Sequence, residues 1–332
     1  MLLETPTPDI SQPFSPEVVS RLQALEKKRR FVENRMLLWL IVPVLWAIPF
    51  IIAYITDSQA IYIFGGIWIF IALFGMGTYI HVILPSNEEI SNQYKKAVIP
   101  DLIRIAGGEG EYSLTHSLKV ESFLKSGLYH ANYSHFERAD SIVGNYRGVK
   151  FGLYELAVQT TSSLTMGPIG PGTQIYTNVF YGWVLHVPIR AMAGKTYIIP
   201  RVRKTKHESD DWIKATKDFF DKEHSGVFIT GDGDFDSTFI VYTNSENDAR
   251  SLSQPSFIKF LLVVFNQSAN APAFSFTGNR AAMHIGISDS AFDRQTGQCI
   301  YPPETDRLMK KVRFFCAITA ALFFAGSQKG AV

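Results

Sequence analysis

The sequence predicts an α+β protein: an N-terminal two-helix transmembrane hairpin, then a soluble domain with a mainly antiparallel sheet and flanking helices. Three observations predict it. Two long uncharged apolar runs, 36–55 and 60–84, are separated by only Thr56, Asp57, Ser58 and Gln59. Downstream, short runs rich in β-branched and aromatic residues follow one another between Gly and Asn turn signals. Helical patterns gather around those runs without a regular strand–helix alternation, which disfavours a parallel sheet.

The first segment, 1–35, reads as a disordered arm and an amphipathic basic helix. Prolines at 6, 8 and 13 interrupt the arm. Ser15-Pro16-Glu17 then starts a helix with a capping hydroxyl, a proline in the first turn and an acid at the positive dipole end. Val18, Leu22, Leu25, Arg29 and Val32 form one stripe at alternating spacings of four and three. Such a stripe suits a protein partner, self-association, or docking on the chain's own domain. The basic cluster Lys27, Lys28, Arg29 and Arg30 sets topology and is a candidate contact for anionic lipid.

Each apolar run is long enough to cross a hydrocarbon core of ~30 Å as a helix, the form that satisfies every backbone group in lipid. Pro43 and Pro49 predict kinks in the first helix. Trp39 with Tyr79, and Tyr54 with Tyr62, suit the two interfacial levels. Lys and Arg flank the pair, and the turn has neither, so both termini are expected on the cytoplasmic side of a bacterial inner membrane.

Residues 85–111 read as a connecting helix and linker. The helix carries Ile90, Tyr94, Ala97 and Val98, Pro100 is expected to break or kink it, and 106–111, AGGEGE, reads as a linker. The α+β domain is placed at 112–332. It begins with a short helix over 117–128. A hairpin follows, with strands over 133–143 and 149–160 around a turn at 144–148. A Gly, Pro and Ser-rich loop occupies 162–174, before strands over 178–187 and 196–201. A helix spans 209–220. Strands at 227–230 and 238–243 flank an acidic turn. Helices follow at 245–252 and 255–267, then a hairpin of 274–277 and 283–287, and a last helix over 304–325.

A net charge of +2 leaves no global field for nucleic acid, so none is expected as a partner. The two cysteines, Cys299 and Cys316, are expected to stay reduced. Gly194-Lys195-Thr196 resembles the end of a phosphate loop, but Ile189 stands where its first glycine belongs, and a strand follows instead of a helix. Asp232, Asp234 and Asp236 alternate as in half of a calcium loop. Ser237 and Thr243 replace the required glycine and bidentate acid, so a solvated acidic turn is the stronger reading. None of the eight histidines sits in a zinc motif. No cofactor is expected.

Several features from Asn132 to Phe292 stand in a particular order: Tyr133, Asp140 and Gly144; Glu155; Phe180, Gly182 and Trp183; Gly194-Lys195-Thr196 and Pro200. Phe239, Val241, Tyr242, Asp248, Ala249, Arg250 and Pro255 follow, then Phe274-Ser275-Phe276, Gly278-Asn279, Ile285-Gly286-Ile287 and Phe292. In that order and spacing the chain resembles the bacterial membrane-associated family called domain of unknown function 3137. The resemblance implies paired helices ahead of the domain and supplies no activity. The polar cluster Asp140, Glu155, Asp248 and Arg250 is either a site or a structural ion pair, with Arg250 facing Glu155 or Asp140.

Two functions are open on these residues. One is an integral membrane protein whose cytoplasmic domain is a non-catalytic interaction or scaffold module, with the bilayer and a protein partner or second copy as its contacts. The other is a membrane-associated enzyme, a hydrolase for example, using Asp140, Glu155 or the Asp232 group.

Overall fold

A computed structural model describes residues 14–55, 84–114, 118–163, 174–201, 211–222, 226–287 and 303–327, with scattered positions between 66 and 77. The chain folds as two compact units, one built on 14–98 and the other on 99–293 and 307–332.

The first unit contains helix α1, Pro16–Ile55, and the start of α2, Leu84–Ile105. Ser15 caps α1 through its hydroxyl, 3.4 Å from the Val18 amide. The stripe Val18, Leu22, Leu25, Arg29 and Val32 is buried as one face. Lys28 Nζ meets Glu89 Oε1 at 3.2 Å, which ties α1 to α2. The expected span 60–84 lies largely outside the described residues, as do most side chains of 36–55. Among the described residues no helix is long and apolar enough to cross a membrane.

Of the break or kink expected at Pro100, the break does not occur: α2 continues to Ile105. A mid-helix proline costs about 3 kcal/mol. Burial of Val98, Ile99, Leu102 and Ile103 around it offsets that cost.

The second unit is a nine-stranded antiparallel sheet with helices, which confirms the α+β class. The strands are β1 Gly108–Ser113, β2 His135–Tyr146, β3 Val149–Ser163, β4 Gln174–Pro188, β5 Lys195–Pro200, β6 Gly226–Phe228, β7 Phe239–Thr243, β8 Ala273–Thr277 and β9 Arg280–Gly286. Their order is β1-β2-β3-β4-β9-β8-β5-β7-β6. The helices are α3 Val120–Leu124, α4 Asp211–Lys222, α5 Gly233–Thr238, α6 Glu246–Leu252, α7 Pro255–Gln267 and α8 Pro303–Ser327.

Of the supposed linker 106–111, only 106–107 form a turn; 108–111 belong to the edge strand β1, in register with β2 from Gly108–Tyr146 to Ser113–Ser141. Its glycines permit close packing. A Cβ at Gly108 would sit 2.7 Å from the Asn145 carbonyl, and one at Gly110 would sit 2.8 Å from Ile103 Cδ1. Strand β2 also runs further than expected. The chain reverses only at Arg147 and Gly148, whose φ angles of 52° and 82° fit a two-residue type I′ turn. The acidic turn is the short helix α5.

Alternation divides the core between two faces. On the first face Phe180 and Val184 of β4 join Leu156, Val158, Tyr197, Ile199 and Tyr242, under Phe123 of α3 and Trp212 of α4. On the second face Trp183 packs on Phe315 of α8 with ring centroids 5.8 Å apart, and Phe276 packs on Phe257 of α7 at 6.0 Å.

Strand β4 joins β9 from Gly182–Gly286 to Pro188–Arg280. A Cβ on Gly182 would collide with the Ile285 carbonyl. Gly182→Ala is therefore expected to lower unfolding free energy by about 3 kcal/mol. Gly233→Ala, with nothing within 4 Å, should change it by less than about 0.5 kcal/mol. Urea denaturation of both variants checks this; equal effects would contradict the packing.

Candidate functional site

The polar residues singled out in the sequence are not all gathered in one place: Glu155 of β3 lies opposite the irregularity of β2 that holds Asp140, whereas Asp232, Asp236, Asp248 and Arg250 bond elsewhere. Asp140 is buried beside the irregularity between Arg138 and Ser141, and Tyr112 Oη donates to it at 2.6 Å. Glu155 is buried in β3 and accepts from Tyr181 Oη at 2.5 Å. Asp248 accepts from the Gly194 amide at 2.6 Å. Arg250 does not face Glu155 or Asp140. It pairs with Glu246 one turn away at 2.6 Å, and both side chains are exposed. Arg250 therefore lies on the outer surface of α6 because helical geometry offers it a neighbour four residues back.

In the Gly194-Lys195-Thr196 segment, Gly194 ends the bend that docks on α6, and Lys195 and Thr196 begin strand β5. Lys195 N donates to Asn244 Oδ1 at 2.6 Å, and the hydroxyls of Thr196 and Thr243 are 3.0 Å apart. The aspartates of 232–236 have local bonds. Asp232 caps α5 by accepting from Phe235 N at 3.0 Å. Asp236 accepts from the Thr230 amide and hydroxyl and from Gly231 N, at 3.1, 2.9 and 3.0 Å. Asp234 stays exposed. Among the described residues no group of three His, Cys, Asp or Glu side chains could hold a metal ion. In the basic cluster, Lys27 and Arg30 are exposed, but Arg29 is buried and bonded to Glu26 at 2.6 Å. Burial also pushes the Cys316 thiol up to about 12, which leaves it protonated and inert. Cys299 lies outside the described residues.

The strand register assembles a different group. An open cleft of about 950 Å³ lies at one end of the first face, over β1 to β4 and the start of β9. Lys150, Tyr154, His186 and Arg280 line it, with Ser122 of α3 at its wall and Glu109 and Glu111 at its β1 side. Glu109 pairs with Asn145, which pairs with Lys150; Gly152 pairs with His186; Pro188 pairs with Arg280. These residues therefore form successive rows across the sheet. A Cβ at 152 would meet the Tyr154 hydroxyl and ring, so the Tyr154 ring lies along the strand over that position. The Tyr154 and His186 rings meet edge to face at 6.0 Å.

Burial, and then the Arg280 charge, lower His186 to about 3, so its imidazole is neutral at pH 7. Burial raises Tyr154, against the pull of Arg280, and it remains a hydroxyl donor. Behind the cleft His284 is fully buried, stacked on Phe123 at 5.0 Å and held well below the ordinary range by burial and by His186. Neither nitrogen of His284, nor Nε2 of His186, has a hydrogen-bond partner among the described residues. Sequence reasoning found no motif around these histidines and missed the cleft. No local pattern signals a site made by pairing β4 with β9.

Residues 178–322 match the model of a family described as protein of unknown function (DUF3137). The matched stretch is less than half of the chain. It starts inside β4 and runs into α8, so it lies further towards the C-terminus than the resemblance from Asn132 to Phe292. No curated protein matches. Among solved structures, the crystal structure of the mycobacterial trehalose monomycolate transport factor A, TtfA, is similar with a TM-score of 0.32 and 11% identity, over 70% of this chain and 95% of that one.

Unfolded, both buried histidines protonate near 6.5. Folded, they resist protonation, so the unfolded state binds more protons below that pH. Their stabilisation is complete above about pH 6.5 and is lost as pH falls from there, for His186 toward about 3, at up to about 1.4 kcal/mol per pH unit for each group. Denaturation at pH 7.5, 6.5 and 5.5 should show the decline, and His284→Phe should flatten it. A pH-independent midpoint in this window would contradict the burial of both rings.

Proposed function

We propose that the chain is a membrane-tethered, non-catalytic interaction module, anchored by residues 36–84 with both termini cytoplasmic, whose cleft is the contact site for a ligand or partner. The interaction reading is carried by one observation. The carboxylates a hydrolase would use are engaged in hydrogen bonds that hold the fold, whereas Lys150 and Arg280 stand in an open cleft without an ion pair among the described residues. The tether is supported by the uncharged length of the two runs. It is supported also by the large apolar side chains exposed along them: Ile48, Ile51, Ile52, Tyr54 and Ile55 in α1, and Phe70, Leu73 and Phe74 beyond. Contiguous exposed apolar surface of this kind marks contact with lipid or protein.

The full chain is expected to sediment with membranes and to resist extraction by high salt and alkaline carbonate. Deletion of 36–84 should release it. A full chain recovered in the high-speed supernatant without detergent would overturn the tether, and activity of an external-side reporter fused at Val332 would overturn the topology.

A further inference from the structure

We propose that the open end of the first face is an oxyanion site, where a phosphate or carboxylate group sits over Pro188 between Lys150 and Arg280 and accepts a hydrogen bond from Tyr154. This rests on the interaction reading above and names the chemistry of its ligand; it does not depend on the tether.

The register makes the geometry. The β3–β4 ladder ends with Gly152 paired to His186; carried two residues further along both strands, the same register puts Lys150 opposite Pro188, and Pro188 pairs with Arg280. Lys150, Pro188 and Arg280 thus lie in one row on neighbouring strands of the same face. With strands ~4.8 Å apart, the two cationic residues have backbones ~10 Å apart. Both side chains are long enough to converge on a group between them, and the proline there leaves the space low. Two cations placed this way repel each other in the absence of an anion. Neither has a carboxylate partner among the described residues, although Glu109 and Glu111 line the same cleft.

Tyr154 supplies a neutral donor. Its ring runs over Gly152 toward the Lys150 row, and its hydroxyl is close enough to Arg280 to feel that charge. His186, nine-tenths buried with an unpartnered Nε2, stands beside Tyr154 in the same cleft wall. An unpartnered buried imidazole at a cleft wall marks a place where a polar group is accommodated. Arg280 offers a planar fork that suits an oxyanion, and Lys150 offers a point charge. Glu109 stands in the same row on β1, two strands from Lys150 on the side away from Arg280, and Glu111 stands on the same strand, so the acids repel an anion from the β1 edge toward the Lys150–Arg280 side. The volume suits a small molecule or headgroup.

The test is calorimetric titration of the full chain in detergent with inorganic phosphate, and separately with acetate, at fixed ionic strength. Saturable one-to-one binding is expected. It should weaken at least tenfold in the Lys150→Gln, Arg280→Gln double variant and by a few-fold in Tyr154→Phe, with melting temperatures unchanged. Lys214→Gln, an exposed cation of α4 outside the cleft, should bind as the parent does. Competition by short-chain phosphatidylglycerol above short-chain phosphatidylcholine would assign the anion to a lipid headgroup. Tighter competition by glycerol phosphate would assign it to a soluble phosphate ester; either order upholds the site. Absence of saturable binding to both anions, or binding unaltered in a folded double variant, overturns it. A soluble chain that still binds phosphate loses the tether alone, and a membrane-bound chain that binds neither anion loses the site alone.

Discussion

The ladder between β4 and β9 is the constraint on which the second unit depends. Strands β1 to β4 form a meander that the local turns specify. Strands β5, β7 and β6 form a second group, and the β8–β9 hairpin joins the two by pairing β9 with β4 and β8 with β5. Gly182 and Gly286 face each other at one end of the β4–β9 ladder, Pro188 and Arg280 at the other. Trp183, Val184, Leu185 and Val187, all buried, lie between those ends. The pairing therefore sets both cores at once: its even positions feed the layer under α3 and α4, and its odd positions feed the layer under α7 and α8. A one-residue slip would exchange the two sets of side chains, which is why a register with distinct layers on each face is strongly specified.

Polar side chains fall into two groups. Asp140, Glu155, Asp232, Asp236 and Asp248 accept hydrogen bonds from tyrosines, a threonine or backbone amides, and their effect is local order. Removing such an acceptor leaves a donor unsatisfied, a cost of about 1–3 kcal/mol. Lys150 and Arg280, in contrast, border open volume beside His186 and Tyr154. A buried neutral histidine next to a cation is stable only while it remains unprotonated, so the same packing that shapes the cleft makes the fold acid-sensitive.

Much of the architecture was legible because it is locally encoded. The stripe from Val18 to Val32, the Ser245 cap, Pro255 at the start of α7 and Gly278 at φ 57° each act within a few residues. Errors arose where tertiary packing overrides local preference. Pro100 stays helical because its neighbours are buried, and the GEGE of AGGEGE becomes a strand because only glycine lets β1 lie against Ile103 and β2. The Asp232 segment folds as α5 through its own caps. The cleft was illegible for a different reason. Lys150, His186 and Arg280 belong to no motif in the sequence and converge only through pairing between distant strands, while the acids that form motif-like patterns accept local hydrogen bonds.

The most direct test of this arrangement is a disulfide across the β4–β9 register, in a chain whose Cys299 and Cys316 are replaced. Paired residues in an antiparallel ladder have Cα atoms roughly 4.5–5.5 Å apart, within the range a disulfide bridges. Pro188→Cys with Arg280→Cys, an in-register pair, is expected to oxidise readily with little change in melting temperature. Pro188→Cys with Ala282→Cys, two positions out of register on the same face, should stay reduced. Efficient crosslinking of the second pair, with the first remaining reduced, would contradict the register and with it both the sheet and the cleft.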